Sequence, residues 1–168
     1  VDADLGIHHR TNRLIYGLDQ DGLVQMVAHA VVEIRTAVGG GIEAVGFGIP
    51  CTFDSRTGMA VQAANAPLHD IAFHEVMSER LGLPVVVDND ANCAVLCEAR
   101  VVAARGCDEV VLLTIGTGIG GGLLLGGEVY RGWIGGGAEM GHMVVDMNGP
   151  PCQSDCPNYG CLETVCSG

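Results

Sequence analysis

The chain reads as an α/β protein, and three observations carry that reading. Apolar residues recur at helical spacing in one segment after another, short runs of consecutive apolar residues stand between those segments, and glycine or proline punctuates the junctions. The 168 residues, 48% of them apolar, suffice to bury one core or one core and part of another. Glycine supplies 26 of the 168 residues, about twice its usual share, which implies tight turns and close backbone approach.

Val1 to Gln20 shows no period. From Leu23 onward Val27, Val31, Ile34 and Val38 fall on one face of a helix, and Gly39-Gly40 stops it. Ile42 to Ile49 alternates as a strand that Pro50 closes. His69 to Leu81 is expected as an amphipathic helix on Ile71, Phe73, Val76, Met77 and Leu81, with Gly82 as its left-handed cap. Leu83 to Val87 is apolar at consecutive positions, which fits a strand of a parallel or mixed sheet covered on both faces. Asp88-Asn89-Asp90 then opens a helix over Ala91 to Arg105, ended by Gly106. Val110 to Leu113 is a strand running into a glycine turn, and Leu123 to Tyr130 reads as strand and hairpin. The boundary between two domains is expected within this ordered stretch, near Arg105 to Asp108, dividing 1–105 from 106–168.

Eight Lys and Arg against 20 Asp and Glu give a net charge of −12, so the chain lacks the basic footprint that binds nucleic acid or an anionic membrane. Val110 to Gly127 is 18 residues without a charge, but seven are glycine, which suits a buried strand and loop rather than a membrane helix. Eight cysteines without an N-terminal secretion signal point to a reducing, cytoplasmic setting.

Four constellations carry chemistry. Gly116-Thr117-Gly118-Ile119-Gly120-Gly121 matches G-x-G-x-x-G, yet strand rather than helix follows, so a dinucleotide fingerprint is disfavoured. Either it is an ordinary glycine hairpin, or its backbone N–H groups and the Thr114 or Thr117 hydroxyl cradle a phosphate. Asp88-Asn89-Asp90-Ala91-Asn92 contains a helix cap, but four Asp or Asn in five positions exceed what a cap needs. A carboxylate there can take the proton of a substrate hydroxyl in phosphoryl transfer. His142, Cys152, Cys156 and Cys161 are four soft ligands within twenty residues, as structural Zn²⁺ requires, with a disulfide pair or free thiols as the alternatives and Cys166 as a substitute ligand. The remaining Cys51, Cys93, Cys97 and Cys107 show no ligand spacing and read as small packing residues. Glu139 before that cluster and Glu163 after it would be held with His142 around a polyhydroxylated ligand.

Taken in order, Gly46-Phe47-Gly48-Ile49-Pro50, Asn89-Asp90-Ala91-Asn92, Gly116-Thr117-Gly118-Ile119-Gly120, Glu139-Met140-Gly141-His142 and Cys152…Cys156…Gly160-Cys161-Leu162-Glu163 resemble the ROK family of bacterial sugar kinases and repressors. The resemblance implies part of an actin-like, ribonuclease-H-like fold, with mixed sheets and helices, that moves the γ-phosphoryl of ATP to the 6-hydroxyl of a hexose, glucose foremost. It implies Asp90 as base, Asn65, Asn89, Glu139, His142 and Glu163 as sugar ligands, and Gly116, Thr117 and Gly118 as a phosphate loop. It further implies Mg²⁺ with the nucleotide, Zn²⁺ on His142, Cys152, Cys156 and Cys161, and a homodimer or higher oligomer. The alternative within the family is the effector domain of a sugar-sensing transcriptional repressor. Here Cys152-x3-Cys156 is wider than the family's usual C-x-C, and the family's N-terminal D-x-G-x-T loop is absent. The chain is therefore expected to be a fragment. By itself it should release no ADP in the presence of ATP and any hexose, and sugar-dependent release by the isolated 168 residues would refute that.

Overall fold

A computed structural model describes residues 1–2, 4–54, 56–63, 66–152 and 156–168. Helix α1 (Gln20–Ala37) begins where the Asp19 carboxylate accepts a hydrogen bond from the Gly22 N–H at 2.8 Å, and it buries Leu23 and Val24. Strand β1 (Val45–Ile49) pairs in parallel with β5 (Val85–Asn89), in a register that sets Gly48 beside Asp88 and Ile49 beside Asn89. A parallel pair requires a long crossover. That crossover holds β2 (Cys51–Phe53), β3 (Ala60–Ala63) and β4 (His69–Ile71), which form an antiparallel sheet in the order β2-β3-β4, followed by α2 (Phe73–Leu81).

The first core lies between these layers. Phe73, Met77 and Val24 are almost wholly buried, together with Leu23, Cys51, Ala60, Leu68 and Val85. Phe47 from β1 meets Phe73 from α2 edge to face, with ring centroids 5.4 Å apart. Gly82 caps α2 at φ +60°, as expected.

Beyond β5 the chain enters α3 (Asp90–Val101) and then an antiparallel meander of β6 (Val110–Ile115), β7 (Ile119–Leu125) and β8 (Glu128–Val129). Val95 and Ala99 of α3 pack on Leu124 of β7, with Val110, Leu112 and Val129 around them, forming a second core. The chain between β8 and the C-terminal helix α4 (Leu162–Cys166) is mostly irregular, broken by a 3-10 turn at Met140–His142. Among the described residues no helix is long and apolar enough to cross a membrane, and the uncharged stretch from Val110 to Gly127 is the β6–β7 hairpin.

Several expectations from the sequence are corrected. The segment His69–Ile71 is a strand, because β3 takes its backbone in register (Ala60 with Ile71, Gln62 with His69) and the Gln20 side chain accepts from the His69 N–H at 2.9 Å; the helix starts only at Phe73. Strand β1 begins at Val45 rather than Ile42, and beyond Pro50 the chain continues directly as β2 in another sheet. Helix α3 stops at Val101, since Val102 turns away at φ −119°, ψ −128°; Gly106 closes the turn that follows at φ +83°. Val86 is 68% exposed, so β5 is covered on one face at that position and not on both. Cys97 and Cys107 are exposed, whereas Cys51 packs in the first core as expected.

At Gly122 the meander comes against α3 with no side chain of its own. A Cβ on Gly122 would lie 2.6 Å from the Ala91 carbonyl oxygen and 2.8 Å from the Val95 Cβ, whereas nothing stands within 4 Å of a Cβ on Gly116. Gly122→Ala should therefore cost about 1–3 kcal/mol by overpacking, and Gly116→Ala about 0.5 kcal/mol or less. Urea denaturation of the two variants checks the contrast, and equal effects would refute the packing account.

Candidate active site and metal centre

The site is assembled where α3, the β6–β7 turn and the segment Ala138–Glu163 converge. Asn89 is the N-cap of α3: its carboxamide oxygen accepts from the Ala91 N–H at 2.9 Å and the Asn92 N–H at 3.2 Å, and its NH₂ group donates to the Cys51 carbonyl at 3.4 Å. Asp90 follows as the first helical residue, exposed, its carboxylate accepting from the Ala91 N–H at 2.9 Å. One cap thus fixes the direction of the carboxylate beside it.

Across from α3 the turn Gly116–Gly118 is closed by its own backbone, the Gly116 N–H donating to the Gly118 carbonyl at 3.0 Å. Glu163 at the start of α4 braces this turn, its carboxylate accepting from the Ile119 N–H at 2.8 Å. The segment carrying Glu139 and His142 lies backbone on backbone against β7. A Cβ on Gly121 would stand 2.2 Å from the Ala138 carbonyl oxygen, and one on Gly141 2.1 Å from that of Ile119. The glycine run therefore has two tasks: Gly116 stays open, while Gly121 and Gly122 let neighbouring backbone approach.

A cavity of about 690 Å³ opens at this convergence. It gathers Asn89, Asp90, the Gly116–Gly118 turn, Glu139, His142 and Glu163. Asn65 lies outside the described residues. Thr52 and Gln62, register partners on β2 and β3, also line the cavity; the sequence reading missed both, because nothing in local spacing marks a strand pair that tertiary packing turns toward a site. Burial pushes the Cys51 thiol in the same wall up to about 11, so it remains a neutral packing group.

Behind the cavity His142, Cys152, Cys156 and Cys161 bring one ligand atom each within 4.8 Å of all the others. His142 Nδ1 is 3.4 Å from Cys152 Sγ, and Cys156 Sγ is 4.0 Å from Cys161 Sγ. Ligands bound to a tetrahedral Zn²⁺ lie about 3.3–3.8 Å from one another; the His142–Cys152 pair falls in that range and the Cys156–Cys161 pair lies slightly beyond it, and one imidazole with three thiols is a donor set of the type that suits the ion. Burial, with the Cys161 and Cys156 thiols alongside, pushes the Cys152 thiol up to about 12, as crowding among thiols does. All eight cysteines are free thiols, and Cys166 is exposed on α4, outside the cluster. His142 thus presents Nδ1 to the Cys152 thiol and is also one of the residues that line the cavity.

One cavity thus gathers the Asx run that opens α3, the glycine turn, the acidic loop and His142 of the four-ligand knuckle. Residues 14–168 match the ROK family, and the chain belongs to it, with the mixed sheets and helices typical of the ROK and actin-ATPase superfamily. It is 38% identical to a glucokinase of Thermotoga maritima over 97% of this chain and 53% of that protein. It is 33% identical to the xylose repressor of Bacillus subtilis over 89% of this chain and 38% of that protein. Among solved structures it resembles a ROK family glucokinase from Streptomyces griseus in complex with glucose and AMPPNP, at 36% identity and a TM-score of 0.78, covering 89% of this chain and 46% of that one. The matches thus span between about a third and a half of the length of these curated relatives.

Purified protein should carry about one equivalent of zinc per chain, lost in Cys156→Ser and Cys161→Ser with a large fall in stability, since metal binding is coupled to folding. Metal affinity should weaken as pH falls, because the thiols must lose their protons to bind. Metal analysis beside thermal melting checks both, and zinc-free protein of unchanged melting temperature would eliminate the site.

Proposed function

We propose that this chain is part of an ATP-dependent hexokinase that phosphorylates the 6-hydroxyl of a hexose, glucose foremost. The observation that carries the proposal is the single cavity into which Asp90, the Gly116–Gly118 turn and the Glu139, His142 and Glu163 side chains all open. Asp90 is the base. It orients the attacking hydroxyl and takes its proton late, which suffices for a loose phosphoryl-transfer transition state. Asn65, Asn89, Glu139, His142 and Glu163 hold the sugar hydroxyls, Glu163 while bracing the turn and His142 through Nε2. The backbone N–H groups of Thr117 and Gly118, with the Thr117 hydroxyl, face the phosphates. Mg²⁺ accompanying ATP would supply neutralisation of phosphate charge. His142, Cys152, Cys156 and Cys161 would hold Zn²⁺, which would stiffen the His142 ring and the loop that carries it. Most of the rate then comes from positioning.

Residues 1–105 would belong to the smaller domain and 106–168 to the start of the larger one, with α3 seated between their sheets. A cytoplasmic setting and a homodimeric or larger assembly complete the proposal, with no nucleic acid bound by this segment. The relationship to xylose repressors favours one second reading, a sugar-sensing effector domain.

Hexose-dependent ADP release by the full-length gene product, across a sugar panel, separates the two. With glucose the wild type should turn over, and Asp90→Asn should lower kcat by about 10²–10⁴-fold. No release, with equal sugar-induced thermal stabilisation of both proteins, would replace the kinase by the sensor.

A further inference from the structure

Arg131 stands outside the cavity that holds Asp90 and lines a separate one of about 470 Å³ on the far side of Asn89. Its side chain nevertheless reaches the segment that bears the base. Arg131 Nε and Nη2 both donate to Asp88 Oδ2, at 3.1 and 2.5 Å. Asp88 Oδ1 accepts from the Asn89 N–H at 2.8 Å and from Nδ2 of the buried Asn92 at 3.0 Å. One carboxylate therefore joins the end of β5, the first turn of α3 and a residue more than forty positions further along the chain. A two-pronged guanidinium–carboxylate contact fixes orientation as well as distance.

The backbone of Arg131 is anchored at the other end. Its carbonyl accepts from the Gly137 N–H at 3.0 Å, which closes residues 131–137 into a loop whose next residues are Ala138 and Glu139. The loop meets the β2–β3 hairpin, Gly135 lying against the Phe53 backbone and Trp133 under the guanidinium of Arg56 in the hairpin turn at 5.6 Å. Arg131 is thus a single residue bound through its side chain to the start of the Asp90 helix and through its carbonyl to the start of the Glu139 segment.

We infer that Arg131, through Asp88, is a positioning residue that sets the spacing between Asp90 and the sugar-binding Glu139–His142 turn. The inference rests on the proposed sugar site. Arg131 does not line the cavity of that site. Losing its fork would let the two walls of the cavity drift while each wall keeps its own fold.

The test uses the full-length protein, with turnover and hexose binding by calorimetry measured side by side for wild type, Arg131→Met, Arg131→Lys, Asp88→Asn and the double variant Asp88→Asn/Arg131→Met. Arg131→Met should lower kcat or weaken hexose binding by about 10–100-fold, with zinc content and melting temperature retained. Arg131→Lys should recover part of the loss, because an ammonium restores the charge without the fork. The double variant should be no worse than Arg131→Met alone, since both remove one contact. Wild-type behaviour in Arg131→Met, or losses that add in the double variant, would overturn the inference while leaving the sugar site standing. A wild type that binds hexose without turnover moves the same comparison onto affinity, and one that neither binds nor turns over removes both the site and the inference.

Discussion

Backbone against backbone contact at β7 is the constraint on which the rest of the structure depends. Gly122 faces the Ala91 carbonyl at the first turn of α3, and Gly121 faces the Ala138 carbonyl one residue before Glu139. Neither position has room for a methyl group. The helix bearing Asp90 and the segment bearing Glu139 are consequently drawn to one strand from different parts of the chain. Side chains on β7 would hold them several ångströms further apart, and the cavity between them would lose its shape.

Helix α3 transmits that constraint to the first sheet. Its Val95 and Ala99 belong to the core formed with the β6–β8 meander, while its N-cap Asn89 is the last residue of β5 and donates to Cys51 on β2. The carboxylate of Asp90 therefore sits at the join of two cores rather than on a loop of either. In the proposed reaction such seating would serve the alignment of a hydroxyl, because the Asn89 cap and the packed helix fix the backbone that carries the carboxylate.

The four-ligand knuckle has a related part. Bridges between Val144 and Cys161 and between Pro151 and Tyr159 fold the segment from Val144 to Cys161 back on itself, bringing sulfur atoms to His142 from positions ten to nineteen residues away. His142 and Glu163, at opposite ends of this excursion, return to the same cavity. Metal on the thiol side would stiffen the ring and the loop while leaving the cavity side of His142 open to a hydroxyl.

Much of this was legible in the residues. The apolar periods located α1 and α2, the Asx start located α3, consecutive valines located β5, and the Asx run, glycine turn, acidic loop and soft-ligand spacing each marked a piece of the candidate site, because each depends on local chemistry that a short window contains. What a window cannot contain is partnership. The strand at His69–Ile71 reads as helix until β3 claims its backbone, Gly121 reads as the end of a glycine turn until Ala138 comes against it, and Thr52, Gln62 and Arg131 carry no local mark at all. Local propensity and donor type lie in the order of residues, whereas the distance between Asp88 and Arg131, or between β7 and Ala138, exists only once the chain has closed on itself.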